Sequence, residues 1–371
     1  MPLGSTKALE RLEELRARMR QRGIDIIALI PGPNLRYLTG GVHYVMERPI
    51  LLFIPLDQPP AAIIPQLEVP LFSQHALQAQ IFSWTDAEGY EGAFKNGLDA
   101  IQANRKVIGV EGLRLRFFES EILRRFAPSA TLIAADDLVS ELRLIKDADE
   151  LSCIEKAVQI SEEALKLTFN DIRIGMSERD IAHRLENHLQ AGGSEGLAFM
   201  TIVHGGGNTA LPHCGPLDYR VQPGDPLIFD FGGMYQGYCA DITRVVFLGE
   251  PNPQFQAFYQ VVQRANEQAR AAAKPGVTAE SLDLITKQVF ADAGYAPLVR
   301  HRTGHGLGLD IHEAPYISQG NQQVLQAGMV FTIEPGIYEL GQIGVRIEDD
   351  VLITENGSRS LSTLGRELYV I

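Results

Sequence analysis

The chain has 371 residues, 45% hydrophobic and 21% charged, the balance of a globular protein long enough for two domains. With 33 Lys+Arg against 46 Asp+Glu the formal charge is -13, which argues against nucleic acid or an anionic membrane surface as the main partner. Three scattered cysteines, Cys153, Cys214 and Cys239, exclude a disulfide framework and read as reduced thiols in a cytoplasmic protein.

The opening stretch MPLGSTKALERLEELRARMRQRG has no apolar core segment, so it reads as neither a signal peptide nor an anchor. No apolar run approaches the ~20 residues of a spanning helix. Leu9, Leu12, Leu15 and Met19 share one helical face, and Gly23 stops the helix. IDIIALI follows as a buried strand, and PGPNLRYLTG as a turn-rich loop. The apolar runs ILLFIP, AAIIP, KVIGVE and ATLIAAD then alternate with helical stretches such as FESEILRRFA. Together they predict a small α/β domain over residues 1–137.

Residues 138–371 form the second domain. It is entered through a helix with a capping box, Asp147 with Glu150, and an apolar stripe of Leu151, Ile154, Val158 and Leu165. An internal repeat follows. GMSERDIAHRLENHLQAGG and GVTAESLDLITKQVFADAG align at a constant offset, matching Gly175 with Gly276, Ser177 with Thr278, Ile181 with Leu282 and Gly193 with Gly294. Two related halves facing each other across a cleft are expected.

The second domain also carries carboxylates where strands are expected. PLIFDFGG and YCADITRVVFL read as a hairpin, and a turn centred between Tyr235 and Gln236 sets Asp230 opposite Asp241. Two bare carboxylates at that separation repel unless a cation lies between them. FTIEPGIYELGQIGVRIEDDVLIT repeats the pattern with Glu334 and Glu348, Gly341 standing midway. Arg346, two residues before Glu348, shares its strand face and is placed to keep it ionised. Between the two hairpins, HRTGHGLGLDIHEAP offers His301, His305 and His312. Four acids and one imidazole make an oxygen-rich set able to balance two divalent cations, suiting Mn²⁺ or Co²⁺, with Zn²⁺ as an alternative. Such a metal pair activates water and polarises a carbonyl, which is hydrolytic chemistry. His75, His183 and His188 read as ordinary surface or half-buried side chains. GHGLGLD lacks the strand and helix of a dinucleotide loop, HGGGN is followed by no Walker lysine, and HEAP lacks the second histidine of a zinc protease motif.

These motifs, in the order DFGGMYQGYCADITR, GHGLGLDIHEAP, TIEPGIY and GVRIEDDVLIT, resemble the creatinase, aminopeptidase P and prolidase group of metallopeptidases. The resemblance extends to PNLRYLTG, ERPILLFIP and SELRLIKDADEL, so it spans nearly the whole chain. It implies a creatinase-like α/β N-terminal domain and an α+β "pita-bread" catalytic domain with pseudo-twofold halves. It implies a dinuclear site with Asp230, Asp241, His305, Glu334 and Glu348 as ligands, Asp241 and Glu348 bridging. Glu334 matches the general base, and His312 the histidine that stabilises the tetrahedral intermediate or donates to the leaving nitrogen. His213 and His301 match substrate-binding histidines, and Arg346 the arginine behind the metal ligands. Creatinase itself lacks these ligands, methionine aminopeptidases usually lack such an N-terminal domain, and a non-catalytic binding protein would have lost some of the five.

The implied reaction is cleavage between an N-terminal residue and a following proline in peptides, by a cytoplasmic homodimer in which His43 of GGVHYVMERP is a candidate contributor to the other chain's site. Some prolidases carry an arginine four positions after the histidine matching His312; here that position is Tyr316, which has no charge for a dipeptide's carboxylate. An Xaa-Pro aminopeptidase is therefore expected ahead of an Xaa-Pro dipeptidase.

Overall fold

The computed structural model describes residues 3–371 and divides into two compact units, one ending at Arg143 and the other running from Leu144 to Ile371. In the first unit the helix Ser5–Arg22 buries Leu12, Leu15 and Met19 and ends on Gly23 in the left-handed region, φ 64°. Leu9 departs from the expected face and is 55% exposed. Its place is taken by Ala8 and by Arg11, whose guanidinium lies 3.7 Å from the Tyr37 ring centroid.

Six strands follow: β1 (Ile26–Leu29), β2 (Leu51–Pro55), β3 (Ala61–Pro65), β4 (Gln80–Trp84), β5 (Val107–Val110) and β6 (Thr131–Ala134). They form a mixed sheet in the order β4-β3-β2-β1-β5-β6. Contrary to the loop predicted for PGPNLRYLTG, Pro33–Thr39 is a helix. Proline at its start gives up an N–H that no intrahelical partner would have used, and Gly40 closes the end at φ 73°. The unit also runs past Asp137, because the helix Asp136–Ser140 buries Leu138 and Val139, and Tyr37 donates to the Leu142 carbonyl at 3.0 Å.

His43 is not the exposed loop residue that a role in a second chain's site needs. Its Nδ1 lies 3.0 Å from Glu68 and its Nε2 3.2 Å from Nε2 of His75, so both ring nitrogens are engaged within this chain. His75 is buried as well, tilted against Phe72.

The second unit repeats itself. Helices Ala148–Asp171 and Glu178–Ala191 open one half, and Pro253–Ala272 and Ala279–Asp292 the other. Asp147 and Glu150 form the expected capping box. Ser177 and Thr278 cap the two matched helices, preceded by Gly175 at φ 86° and Gly276 at φ 90°. Those glycines donate equivalent backbone bonds, Gly175 to Val221 and Gly276 to Leu325, both at 2.9 Å. Among the described residues no helix is long and apolar enough to cross a membrane.

Each half contributes a sheet. The first contains β7 (Ile202–Gly205), β8 (Pro226–Phe231) and, beyond the short pair β9 (Met234–Tyr235) and β10 (Tyr238–Cys239), β11 (Ile242–Phe247). The second contains β12 (Gly304–Gly306), β13 (Glu313–Ile317), β14 (Val330–Ile333) and, beyond the pair β15 (Gly336–Glu339) and β16 (Ile343–Arg346), β17 (Asp349–Thr354) and β18 (Gly357–Ser360). The final strand β19 (Tyr369–Val370) joins the first sheet beside β11. Ile154, Val158, Leu165, Ile181 and Leu185 of the first helix pair pack with Val203, Phe229 and Phe231 of the first sheet. Phe331, Ile333 and Val351 of the second sheet pack with Ala269 and Leu282 of the second helix pair.

The two hairpins differ in how far spacing predicts them. In the second, Ile333 pairs with Asp349 and Gly336 with Arg346, one continuous register that sets Glu334 against Glu348 as expected. In the first, the turn sits on Gln236 and Gly237, at φ 48° and 79°, rather than between Tyr235 and Gln236. Glycine favours the left-handed conformation that a two-residue hairpin turn needs. Asp230 therefore pairs with Thr243, and Asp241 lies two residues away along that strand. A two-residue displacement keeps both aspartates on one face.

Arg244 locks the two sheets at this point. Fully buried, it donates to the carbonyls of Thr243, Glu348, Leu364 and Gly365 and to the Asp349 carboxylate at 2.8 Å. Removing one partner of a buried pair leaves the other uncompensated, so Arg244→Met is expected to cost about 3–5 kcal/mol in denaturant unfolding. A cost below about 1 kcal/mol would show that Arg244 does not hold the sheets together.

Candidate metal centre

Strand ends supply the site. Asp230 is the penultimate residue of β8, and Asp241 immediately precedes β11. His305 is central in β12, Glu334 follows β14, and Glu348 precedes β17. Ligand atoms of Asp241, His305 and Glu348 lie within 4.8 Å of one another. Nε2 of His305 is 3.3 Å from Glu334 and 3.6 Å from Asp241. These five line a pocket of about 370 Å³ together with His213, His301, His312 and Arg346, so the nine residues expected within one chain's site converge on one place.

The charges there are out of balance. Burial raises the pKa of Asp241 well above the carboxylate range, and repulsion from Glu348 and Asp230 adds to it. Glu348 is raised for the same reasons, burial first and then the charges of Glu334 and Asp230, despite Arg346. Burial pushes Glu334 up to about 7, with Arg346 opposing. Oδ1 of Asp230 is buried without a hydrogen-bond partner. Such a set fits divalent cations, which satisfy the orphaned oxygen and cancel the mutual repulsion.

His305 is prepared for the same task. Its Nδ1 donates to the Gly306 carbonyl at 3.1 Å, which leaves the Nε2 lone pair facing the carboxylates. Burial, with the neighbouring His312, lowers its pKa to about 3, so the ring is neutral at pH 7. Neutral imidazole is the form that binds metal.

Arg346 was expected to hold Glu348, but its guanidinium pairs directly with Asp230. Thr243 stands between, accepting from Arg346 Nε at 3.0 Å and donating to Glu348 at 2.6 Å. The Tyr338 hydroxyl accepts from Arg346 at 2.6 Å and donates to His301 Nε2 at 2.8 Å. His301 Nδ1 donates in turn to the Arg302 carbonyl at 2.7 Å, and burial lowers its pKa to about 4. Both its nitrogens are thus engaged inside the protein, whereas His213 and His312 stand on the exposed side of the pocket. Thr243, Tyr338 and Arg302 escape sequence reasoning because threonine and tyrosine on strands, and arginine in the loop before β12, carry no ligand signal. Only the alternation Asp241, Thr243 would have put Thr243 on the right face.

The charge imbalance sets a pH dependence. An unfolded glutamate ionises near 4.5, while folded Glu334 keeps its proton to about 7. The folded state binds the extra proton in that window, so the stabilisation it gives is full below 4.5 and is lost as pH rises through 7. The buried neutral His301 and His305 act in the opposite sense, so the contribution is read by difference: in chelator, stability in urea titrations should fall relative to that of Glu334→Gln by on the order of 3 kcal/mol between pH 4.5 and 8. The same pH dependence in both proteins would contradict the repulsive cluster.

Comparison with known proteins identifies the family. Residues 152–355 match metallopeptidase family M24, and residues 11–145 match the creatinase/prolidase N-terminal domain. A protein of Pyrococcus furiosus named Xaa-Pro dipeptidase is 36% identical over 97% of this chain and 99% of its own. The crystal structure of prolidase from Thermococcus sibiricus has a TM-score of 0.94 at 33% identity, covering 98% of this chain and 99% of that one. That of X-Pro aminopeptidase from Thermotoga maritima has a TM-score of 0.85 at 33% identity, covering 97% and 99%. Matched along both units, with the pita-bread fold of its solved relatives, the chain belongs to metallopeptidase family M24 and carries that family's creatinase/prolidase N-terminal domain.

Proposed function

We propose that the protein hydrolyses the peptide bond between an N-terminal residue and a following proline, with two divalent ions held by Asp230, Asp241, His305, Glu334 and Glu348. The observation that carries this reading is the buried cluster of four carboxylates and one neutral imidazole, with its orphaned Asp230 oxygen. Asp241 and Glu348, both raised by burial and by the carboxylates around them, would be the ligands shared by the two ions. The oxygen-rich donor set favours Mn²⁺, with Co²⁺ or Zn²⁺ as substitutes. When bound, the ions activate water and polarise the scissile carbonyl.

The chain's own groups do the rest. Glu334 takes the proton of the attacking water and relays it towards the leaving nitrogen. His312, on the open side of the pocket, hydrogen-bonds the developing oxyanion or protonates the proline nitrogen. His213 meets the substrate from the facing loop, and the ring of His301 forms part of the wall. Phe199, Ile202, Pro212 and Ile311 give an apolar lining suited to a pyrrolidine ring. An Xaa-Pro bond has no N–H and a fixed φ, so a dedicated pocket is a sensible answer to it.

Peptide length is the open branch of this reading. Tyr316 in place of a cation favours an Xaa-Pro aminopeptidase, but Arg302 in the pocket wall favours an Xaa-Pro dipeptidase, as do the names of the relatives from Pyrococcus furiosus and Thermococcus sibiricus. The free thiols Cys153, Cys214 and Cys239 suit the cytoplasm. A homodimer remains the proposed assembly, without His43 as a contributor in trans.

Elemental analysis should find two divalent ions per chain, and chelation should abolish Xaa-Pro hydrolysis until Mn²⁺ or Co²⁺ is returned. Asp241→Asn should lower occupancy of both ions and reduce turnover at least about 100-fold. A full metal complement with normal turnover in that variant would overturn the assignment. Light scattering should give twice the 40.9 kDa chain mass; a fully active monomer would reject the dimer.

A further inference from the structure

We propose that Arg302 is the residue that recognises the free carboxylate of an Xaa-Pro dipeptide, held in place for that purpose by the ring of Tyr316. The proposal rests on the Xaa-Pro reading above and goes beyond it by naming the group that would decide between dipeptides and longer peptides.

The chemistry first limits where such a cation can be. In a dipeptide the carboxylate carbon is joined through one Cα to the nitrogen of the scissile bond, about 2.5 Å from it. A cation that reads this carboxylate must therefore line the same pocket as the groups that act on the bond. Two arginines do so, Arg302 and Arg346. Arg346 is already committed to Asp230, Thr243 and Tyr338.

Arg302 is different. Its guanidinium carbon lies 4.5 Å from the centroid of the Tyr316 ring, a stacking contact that uses the face of the group. Stacking leaves the in-plane N–H donors for a carboxylate fork. Among the described residues no carboxylate pairs with this guanidinium and no oxygen accepts a hydrogen bond from it. A pocket cation without a protein anion is unusual beside Arg244 and Arg346, each of which has its carboxylate.

The backbone around it is pinned. The Arg302 carbonyl accepts from His301 at 2.7 Å. The next residue, Thr303, donates to Asp283 from its backbone at 3.0 Å and its hydroxyl at 2.8 Å. The positive charge reaches the reacting groups, since after burial it is the leading cause lowering His312. A cation fixed at its backbone, stacked on one face and unpaired at its donors is built to receive an anion.

Ala-Pro and its C-terminal amide differ in that one charge, and comparing them tests the proposal. The Mn²⁺-loaded protein should prefer the acid. Arg302→Met should cut kcat/KM for the acid about 10- to 100-fold, chiefly through KM, while the amide changes by no more than about threefold. Arg302→Lys should recover part of the preference, and Tyr316→Leu should lose a smaller part of it. Equal losses on acid and amide would mean that Arg302 only supports the site, and would overturn the proposal, as would an unchanged preference. Calorimetric titration of the metal-free protein with the same two compounds separates this from the underlying reading. If the loaded protein cleaves no Xaa-Pro substrate, the Xaa-Pro reading fails. If the acid then binds no tighter than the amide, or keeps its advantage in Arg302→Met, the Arg302 proposal fails too.

Discussion

Burying Asp230, Asp241, Glu334 and Glu348 around one neutral imidazole places more negative charge in one pocket than Arg346 and Arg302 together can balance. Without cations the protein answers by holding protons, with Asp241 and Glu348 raised well above the carboxylate range and Glu334 at about 7. A fold selected only for stability would replace such a cluster with apolar side chains. Its retention makes sense when divalent ions supply the missing charge, and the surrounding structure can be understood as what keeps that arrangement from collapsing.

Three layers hold it. The hairpin registers bring the carboxylates to strand ends, where the ladders are interrupted and side chains can converge. Arg244 ties the backbone of Thr243 to that of Glu348, so that the two sheets cannot drift apart at the site. Thr243 and Tyr338 then join Arg346 to Glu348 and His301 through side-chain bonds. Each layer removes freedom from groups that a metal would otherwise have to order, which is the physical meaning of a preorganised site.

Much of this was legible from residues alone, for identifiable reasons. Glu334 and Glu348 fell in register because Gly341, at φ 73°, is the residue most suited to the turn between them. Asp230 and Asp241 were misplaced by two positions because Gln236 and Gly237 shared the turn, yet the even displacement kept both on one face. The repeat was visible because a capping residue after a left-handed glycine is a strict local requirement, met by Ser177 and by Thr278. Pro33–Thr39 looks like loop in the sequence because its proline and glycine are breakers inside an element and boundary markers at its ends. Partners that act through geometry stayed hidden. Nothing in composition says that Tyr338 bridges His301 and Arg346, that His43 turns inward to Glu68 and His75, or that Arg302 stacks on Tyr316.

Diffraction from crystals soaked in Mn²⁺, collected near the manganese absorption edge, tests the central claim most directly. Two anomalous peaks should lie in this pocket, both within ligand distance of Asp241 and Glu348, one touching Asp230 and the other His305 and Glu334. A single peak elsewhere, or a protein that leaves the cluster unoccupied at saturating Mn²⁺, would contradict the account.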